Sequence, residues 1–124
     1  MQKRAINSQH SFRELLDTLP EADQVALAGV SQFAIDASKD SFRRGVKEHA
    51  WELRIFSRSW GFQRRNIKVP VHLWHGEADA TIFVSTTREQ SAALPNSTAH
   101  YLPSEGHYST YINHIGAILE ELLT

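Results

Sequence analysis

The hydrophobic periodicity of the chain changes once, near Ile67, and this change limits what the chain can fold into. Before it, apolar residues recur at the three- and four-residue spacing of amphipathic helices. After it, Val69-Pro70 favours extended backbone, and "VHLWH" is a short apolar run typical of a strand covered on both faces. We therefore divide the chain into a helical segment, residues 1–66, and an α/β segment, residues 67–124.

The helical segment carries three amphipathic patterns. The first begins at the capping box "SFRE", residues 11–14, and the second follows the box "TLPE", residues 18–21, and extends to Ala37. A third pattern covers residues 42–60, with Gly45 as its one weak interior position. The sequence therefore predicts three helices before the change of period.

The α/β segment alternates strands and helices. After "VHLWH" a turn leads to a helix over about residues 85–94, which the box "TTRE" is predicted to start. The strand "TAHYLP" follows, and a closing helix covers about residues 110–123. This order predicts a right-handed parallel β-α-β-α unit. Two parallel strands are not stable alone, so we expect a further strand beside residues 71–75.

Two polar residues follow the two predicted strands. Asp79 lies in "WHGEAD", after the first strand, and His107 lies in "SEGHYS", after the second. In open parallel sheets, functional residues collect just past the carboxyl ends of the strands. An aspartate there can fix the tautomer of a histidine, so that the other ring nitrogen can remove a proton from a nucleophile. Asp79 and His107 are therefore the candidate catalytic residues.

At these residues the chain resembles the α/β-hydrolase superfamily. "PVHLWHGEAD" is similar to the family pattern that leads to the acid of its catalytic triad, and "LPSEGHYS" to the pattern that leads to the histidine. The resemblance covers residues 69–123, and the helices before them resemble a cap insertion more weakly. It implies a partial α/β-hydrolase fold in which Asp79 is the triad acid, His107 the base, and Gly76 and Gly106 turn glycines.

Members of this family carry their catalytic serine in a motif called the nucleophile elbow, G-x-S-x-G. This motif does not occur in the present sequence. The nearest match is "GVSQF", which contains Ser31 after the strand-like "VALA". Phe33 replaces the second glycine, where a bulky side chain would obstruct the elbow. The second helical pattern also runs through Val30, so we expect Ser31 to lie inside a helix. Ser31 is therefore a weak candidate for the nucleophile.

The resemblance implies a serine-type hydrolase acting on an ester, amide or similar bond of a small-molecule substrate. Because triad members act as a unit, we expect the chain alone to be nearly inactive, as the C-terminal fragment of such an enzyme. An alternative is a non-catalytic protein that completes its sheet by homo-oligomerisation or with a partner chain. Members of the superfamily differ mainly in their caps and loops, so the resemblance implies a reaction type and no particular substrate.

Neither a cofactor nor a metal site is predicted. The chain has no cysteine, and although it has seven histidines, His72 and His75 are three apart on a strand and point to opposite faces. His107 and His114 are seven apart, but the first lies in a loop.

The formal net charge of −1 gives no long-range field that would favour nucleic acid or an anionic membrane as partner. The N-terminal residues lack the apolar run of a signal peptide, so a cytoplasmic location is the default expectation. Glu77 and Glu105 flank the two motif residues and are candidates to tune the histidine electrostatically. Trp51 and Trp60 belong to an aromatic group in the cap-like segment, for which packing is favoured over a substrate pocket.

Overall fold

The computed structural model describes residues 13–14, 16–41, 43, 45 and 47–123. Its elements in chain order are α1 (Glu21–Gly29), α2 (Ser31–Ser41), α3 (Lys47–Phe56), a 3-10 turn (Arg64–Asn66), β1 (Val71–Gly76), α4 (Val84–Ala93), β2 (Ser97–Leu102) and α5 (Ser109–Glu121). None of the helices in these ranges has the length and apolarity needed to cross a bilayer.

Strands β1 and β2 form a two-stranded parallel sheet. Val71 pairs with Ser97 and Gly76 with Leu102, and the register is continuous between these pairs. Helix α4 packs against both strands, and α5 packs against β1 and against α1. The mixed α/β class and the predicted strand-helix-strand-helix order are therefore confirmed, with boundaries within one or two residues of those expected.

The two faces of the sheet are covered by different helices. Side chains alternate between faces along a strand, so His72 and Trp74 share one face and His75 lies on the other. Trp74 donates its Nε1–H to Glu121 of α5 at 2.9 Å. On the opposite face, His75 Nδ1 lies 2.7 Å from Thr87 Oγ1 of α4. The sheet is thus enclosed between α4 and α5.

The helical segment differs from its prediction at several points. The helix expected to extend to Ala37 is two helices, because the chain leaves helical geometry at Val30, where φ is −123° and ψ is 20°. The third helix is shorter than predicted and starts only after Gly45, whose φ of 98° is left-handed. Phe83 before α4 makes no side-chain capping bond and Thr86 lies inside the helix, so the capping box assigned to α4 was wrong. Helix α1 begins after Pro20, within the predicted box at residues 18–21. The predicted box at residues 11–14 lies largely outside the described residues.

Few apolar residues are buried within the described parts of the chain. Ala26, Leu27 and Ile35 form the buried hydrophobic set. The apolar stripe along the C-terminal half of α5 is exposed, at 49% for Ile115, 54% for Leu119 and 66% for Leu122. Many other large apolar side chains are also about half exposed or more, among them Trp51, Phe56, Trp60, Phe62, Val69, Phe83 and Leu123. Each aromatic side chain of the cap-like group is therefore more than half exposed, and Trp60 and Phe62 contact each other with ring centroids 5.9 Å apart.

Gly76 closes β1 at a point where two backbone segments approach each other closely. A Cβ at this position would overlap the backbone carbonyl groups of Glu105 and Gly106. The same contact is held by Ala78, whose N–H donates to the Glu105 carbonyl at 3.0 Å. The absence of a side chain at residue 76 thus lets the loop after β2 lie directly against the end of β1.

We expect Gly76→Ala to lower the free energy of unfolding by about 1–3 kcal/mol, because backbone atoms must move to admit the methyl group. Gly116→Ala is the matched control, since residue 116 lies within α5 and nothing stands within 4 Å of its Cβ. The control should raise stability by about 0.5–1 kcal/mol through helix propensity. Urea unfolding followed by circular dichroism measures both. Equal effects of the two substitutions would contradict the close approach at Gly76.

Candidate functional site

Asp79 is held by the turn that follows β1. Its Oδ1 accepts hydrogen bonds from the backbone N–H groups of Thr81 at 2.7 Å and Ile82 at 2.8 Å. An aspartate that binds the backbone two and three residues ahead of it stabilises such a turn. The residue is buried, with 8% of its surface exposed. One carboxylate oxygen therefore fixes the turn, and Oδ2 is directed to the loop after β2.

His107 lies in that loop, between β2 and α5. Its Nδ1 lies 2.9 Å from Asp79 Oδ2. Because an ionised carboxylate can only accept hydrogen bonds, Nδ1 carries the proton and donates it. The lone pair of the neutral ring is then on Nε2, which is the tautomer of a general base. The side chain is 31% exposed, so a reactant can reach the ring.

The hydrogen bonds to Asp79 keep its carboxyl group ionised. Burial acts to raise the pKa of Asp79, but hydrogen bonds from the Ile82 N–H, the His107 ring and the Thr81 N–H outweigh it. The pKa of Asp79 therefore lies below its ordinary value of 3.8. The structure thus brings together the two candidate catalytic residues as an ionised acceptor and an oriented imidazole.

A residue that the sequence analysis missed anchors the histidine loop. Asp23 of α1 is fully buried and accepts three backbone hydrogen bonds at the start of α5. The donors are His107 N–H at 2.9 Å to Oδ2, and Tyr108 N–H and Ser109 N–H, each at 2.8 Å, to Oδ1. A carboxylate at this position satisfies N–H groups that have no partner inside the helix and interacts favourably with its dipole. Asp23 therefore fixes the backbone that carries His107.

Gly106 permits this arrangement. A Cβ at residue 106 would overlap the Asp23 carboxylate. The Gly106 N–H donates to Ser109 Oγ at 2.7 Å, and its carbonyl accepts from Thr110 Oγ1 at 2.6 Å. The glycine expected to serve a turn thus also makes room for a buried carboxylate from another helix.

A second histidine, His75, lies beside the Asp79 carboxylate. Its Nε2 donates to the Ile82 carbonyl at 2.9 Å and lies 3.5 Å from Asp79 Oδ2. Its Nδ1 lies 2.7 Å from the Thr87 hydroxyl, which can donate or accept. Hydrogen bonds at both ring nitrogens therefore fix the orientation of the His75 ring. It supports the turn around Asp79, whereas the side chain of His107 is partly exposed.

Among the described residues, the two glutamates that flank the motif residues form their hydrogen bonds and ion pairs with side chains other than His107. Glu77 pairs with Arg88 of α4 at 2.5 Å. Glu105 accepts from His114 of α5 at 3.1 Å. A hydrogen bond from Ser109 lowers the pKa of Glu105 below its ordinary value of 4.5, with burial opposing this effect and His114 adding to it. The described contacts of both glutamates are therefore directed to the helices that cover the sheet.

Ser31 is the first residue of α2 and follows Val30, the residue at which α1 ends. The expectation that it lies inside one continuous helix was wrong. The preceding "VALA", which has the composition of a strand, lies in α1. Ser31 is therefore located at a junction of two helices and not at the strand-to-helix turn of a nucleophile elbow.

One group of side chains among the described residues has the composition of a metal site. His72, His100 and Glu121 each offer one ligand atom, and these atoms lie within 4.8 Å of one another. The sequence analysis compared histidines that are near in sequence and missed this group. The register pairs Trp74 with His100, which brings His100 to the face that carries His72.

Comparison of the chain with protein-family models, with curated proteins and with solved structures gives no match. A function for this chain must therefore be inferred from the geometry of the site.

The low pKa of Asp79 predicts how stability responds to acid. A group whose pKa is lower in the folded state stabilises the fold above its unfolded pKa, and this contribution is lost as the pH falls through the folded value. For Asp79 the contribution is complete above about pH 5 and is lost as the pH falls through the folded pKa, which lies below 3.8. We therefore expect the urea midpoints of the wild type and Asp79→Asn to differ near neutral pH and to converge in acid.

The control for this measurement is Gln63→Ala, which replaces an exposed, uncharged side chain. Its difference from the wild type should be constant across the same pH range. A constant difference between the wild type and Asp79→Asn would contradict the depressed pKa.

Proposed function

We propose that this chain is the C-terminal part of an α/β-hydrolase-fold enzyme that cleaves an ester, amide or similar bond. The observation that carries the proposal is the 2.9 Å hydrogen bond between His107 Nδ1 and Asp79 Oδ2. The pair is located past the carboxyl ends of two neighbouring parallel strands, where open sheets of this kind carry functional residues. Its residue types and their order along the chain agree with the resemblance to the superfamily.

In the proposed reaction, His107 Nε2 removes the proton from a serine hydroxyl as the serine oxygen bonds to the carbonyl carbon of the substrate. The imidazolium then donates that proton to the leaving group as the scissile bond breaks. Asp79 orients the ring and stabilises its positive charge. A water molecule, activated by the same ring, hydrolyses the acyl intermediate and restores the serine.

The nucleophile in this proposal is supplied from outside residues 1–124, because these residues contain no G-x-S-x-G motif and Ser31, in the nearest match, lies at a helix junction. The exposed apolar stripe of α5 and the two-stranded sheet support the same proposal, since both would be covered by the rest of a hydrolase core. The chain alone should therefore be nearly inactive.

Two experiments test the proposal. Reading the DNA upstream of Met1 should reveal an in-frame G-x-S-x-G, and an open reading frame without one would count against it. A fluorophosphonate probe should leave the purified chain unlabelled, with Ser31→Ala as the control. Labelling that disappears in Ser31→Ala would instead make Ser31 the nucleophile.

A second candidate function is that of a non-catalytic protein that completes its sheet with another copy of itself. The favouring observation is that β1 pairs only with β2 among the described residues, which leaves one edge of β1 open. Sedimentation equilibrium distinguishes the candidates, because this function requires a dimer or larger assembly. A well-folded monomer would exclude pairing of copies through the β1 edge.

A further inference from the structure

The face of the sheet that is covered by α5 carries two histidines and one glutamate in direct contact. His72 Nδ1 lies 2.7 Å from Glu121 Oε1, and His100 Nε2 lies 2.9 Å from the same oxygen. The three residues come from β1, β2 and the last turn of α5. One carboxylate oxygen is thus approached by two imidazole nitrogens from separate strands.

These contacts leave one polar atom unsatisfied. Nδ1 of His72 is buried and has no aligned hydrogen-bond partner among the described residues, although Glu121 Oε1 is only 2.7 Å away. The two atoms are therefore close enough for a hydrogen bond, but the angle between them does not allow one. A buried polar atom without a partner is costly, and a bound ion is one of its ordinary explanations.

The neighbours of the cluster hold it in place. Trp74 donates its indole N–H to the other oxygen, Oε2, of Glu121 at 2.9 Å. The ring of Trp74 also stacks on His100, with centroids 4.1 Å apart and planes at 23°. Oε1 is thereby directed to the two histidines while Oε2 is occupied. Orienting hydrogen bonds of this kind accompany protein metal ligands.

The side-chain types of the cluster suit a cation. A carboxylate and two neutral imidazoles can each supply a lone pair to a bound ion. The side chains of His72, His100 and Glu121 are 25%, 33% and 20% exposed, so the cluster lies close to the protein surface although the Nδ1 atom of His72 is buried.

We propose that His72 Nδ1, His100 Nε2 and Glu121 Oε1 bind one Zn²⁺-like divalent cation. Two imidazoles and one carboxylate form a zinc donor set that leaves the fourth tetrahedral position to water. Zinc bonds of about 2.0–2.2 Å separate such ligand atoms by roughly 3.3 Å. The present separations, from 2.7 Å to at most 4.8 Å, bracket that value.

The ion would join β1, β2 and the end of α5, which are otherwise connected by few buried apolar side chains. Because it binds the folded chain, it would stabilise the fold. The ligands lie within the strands and on α5, whereas Asp79 and His107 lie in the loops past the strand ends. The site is thus separate from the proposed catalytic pair and does not depend on the proposed function.

Isothermal titration of the tag-free chain with ZnCl₂ tests this site, and CoCl₂ provides a visible spectrum that reports tetrahedral coordination. We expect one ion per chain and a tetrahedral Co²⁺ spectrum. Glu121→Gln and His72→Ala should each weaken binding by about 100-fold or more, and Trp74→Phe, which removes one orienting bond, by about 10-fold. His114→Ala is the matched control, since His114 lies on the same helix but pairs with Glu105.

Retention of Zn²⁺ affinity in both Glu121→Gln and His72→Ala would overturn the site, because binding would then use other histidines. The lack of binding by the folded wild-type chain would also overturn it and would leave the cluster as a simple ion pair. Nuclear magnetic resonance of the wild-type chain tests the site without any variant, so its result does not depend on whether the variants fold. Added Zn²⁺ should shift the ring signals of His72 and His100 and leave those of His75 unchanged.

Discussion

Asp23→Ala is expected to lower the free energy of unfolding by about 3–5 kcal/mol, one of the largest effects of any single substitution in this chain. The carboxylate is fully buried and accepts three backbone hydrogen bonds at the start of α5. A hydrogen bond to a charged group contributes about 1.5–3 kcal/mol, and removal of the acceptor leaves buried N–H groups unpaired. Such a loss is a large share of the roughly 5–15 kcal/mol that stabilises a typical domain.

Urea unfolding measures this loss of stability. Two further variants show whether the loss is due to the hydrogen bonds that Asp23 accepts. Asp23→Asn retains one acceptor oxygen, so it should cost less than Asp23→Ala. Asp36→Ala, in which the replaced side chain is 60% exposed on α2, should change stability by about 0.5 kcal/mol or less. Hydrogen exchange should accelerate at the amides of Tyr108 and Ser109 in the Asp23 variants. An Asp23→Ala protein as stable as Asp36→Ala would contradict the anchor.

The second large effect is expected on catalysis, in the hydrolase that the longer reading frame is proposed to encode. Asp79→Asn should lower kcat by about 10⁴-fold, because the asparagine amide turns an N–H toward His107 Nδ1 and favours the wrong tautomer. The asparagine oxygen can still accept from Thr81 and Ile82, so the turn should persist. Hydrolysis of an activated ester, followed at saturating substrate, measures the change.

His107→Ala should reduce kcat to a similar extent, and the double variant should be little worse than either single one, because triad members act as a unit. His114→Ala, which removes a nearby histidine paired with Glu105, should leave kcat unchanged. An Asp79→Asn enzyme with the activity of His114→Ala would show that the hydrogen bond to His107 has no catalytic role.

Local sequence patterns were sufficient to predict the α/β segment. Pro70 and the apolar run after it predicted β1, and the spacing of apolar residues near the C-terminus predicted α5. The proximity of Asp79 and His107 could also be anticipated, because parallel strands bring their carboxyl ends to one edge of the sheet. These inferences depend only on short-range periodicity and on the geometry of a parallel unit.

Contacts between distant parts of the chain could not be predicted in this way. Asp23 is more than 80 residues from the amides it binds, and on its own helix it has the appearance of an ordinary acidic residue in the first turn. The meeting of His72 with His100 depends on strand register, which the sequence pattern does not specify. The breaks at Val30 and Gly45 interrupt apolar spacing that is otherwise helical. In each case the deciding interaction is tertiary or depends on backbone conformation.

The proposed hydrogen bond from His107 to Asp79 determines which ring nitrogen of His107 carries the proton. Long-range ¹H–¹⁵N spectra of the chain should show His107 with its proton on Nδ1, and that proton should resonate downfield because Asp79 accepts it. In Asp79→Asn the proton should move to Nε2, while the spectrum of His75 should still show its Nε2–H tautomer. A His107 ring that carries its proton on Nε2 in the wild type, or that is unaffected by Asp79→Asn, would contradict the account.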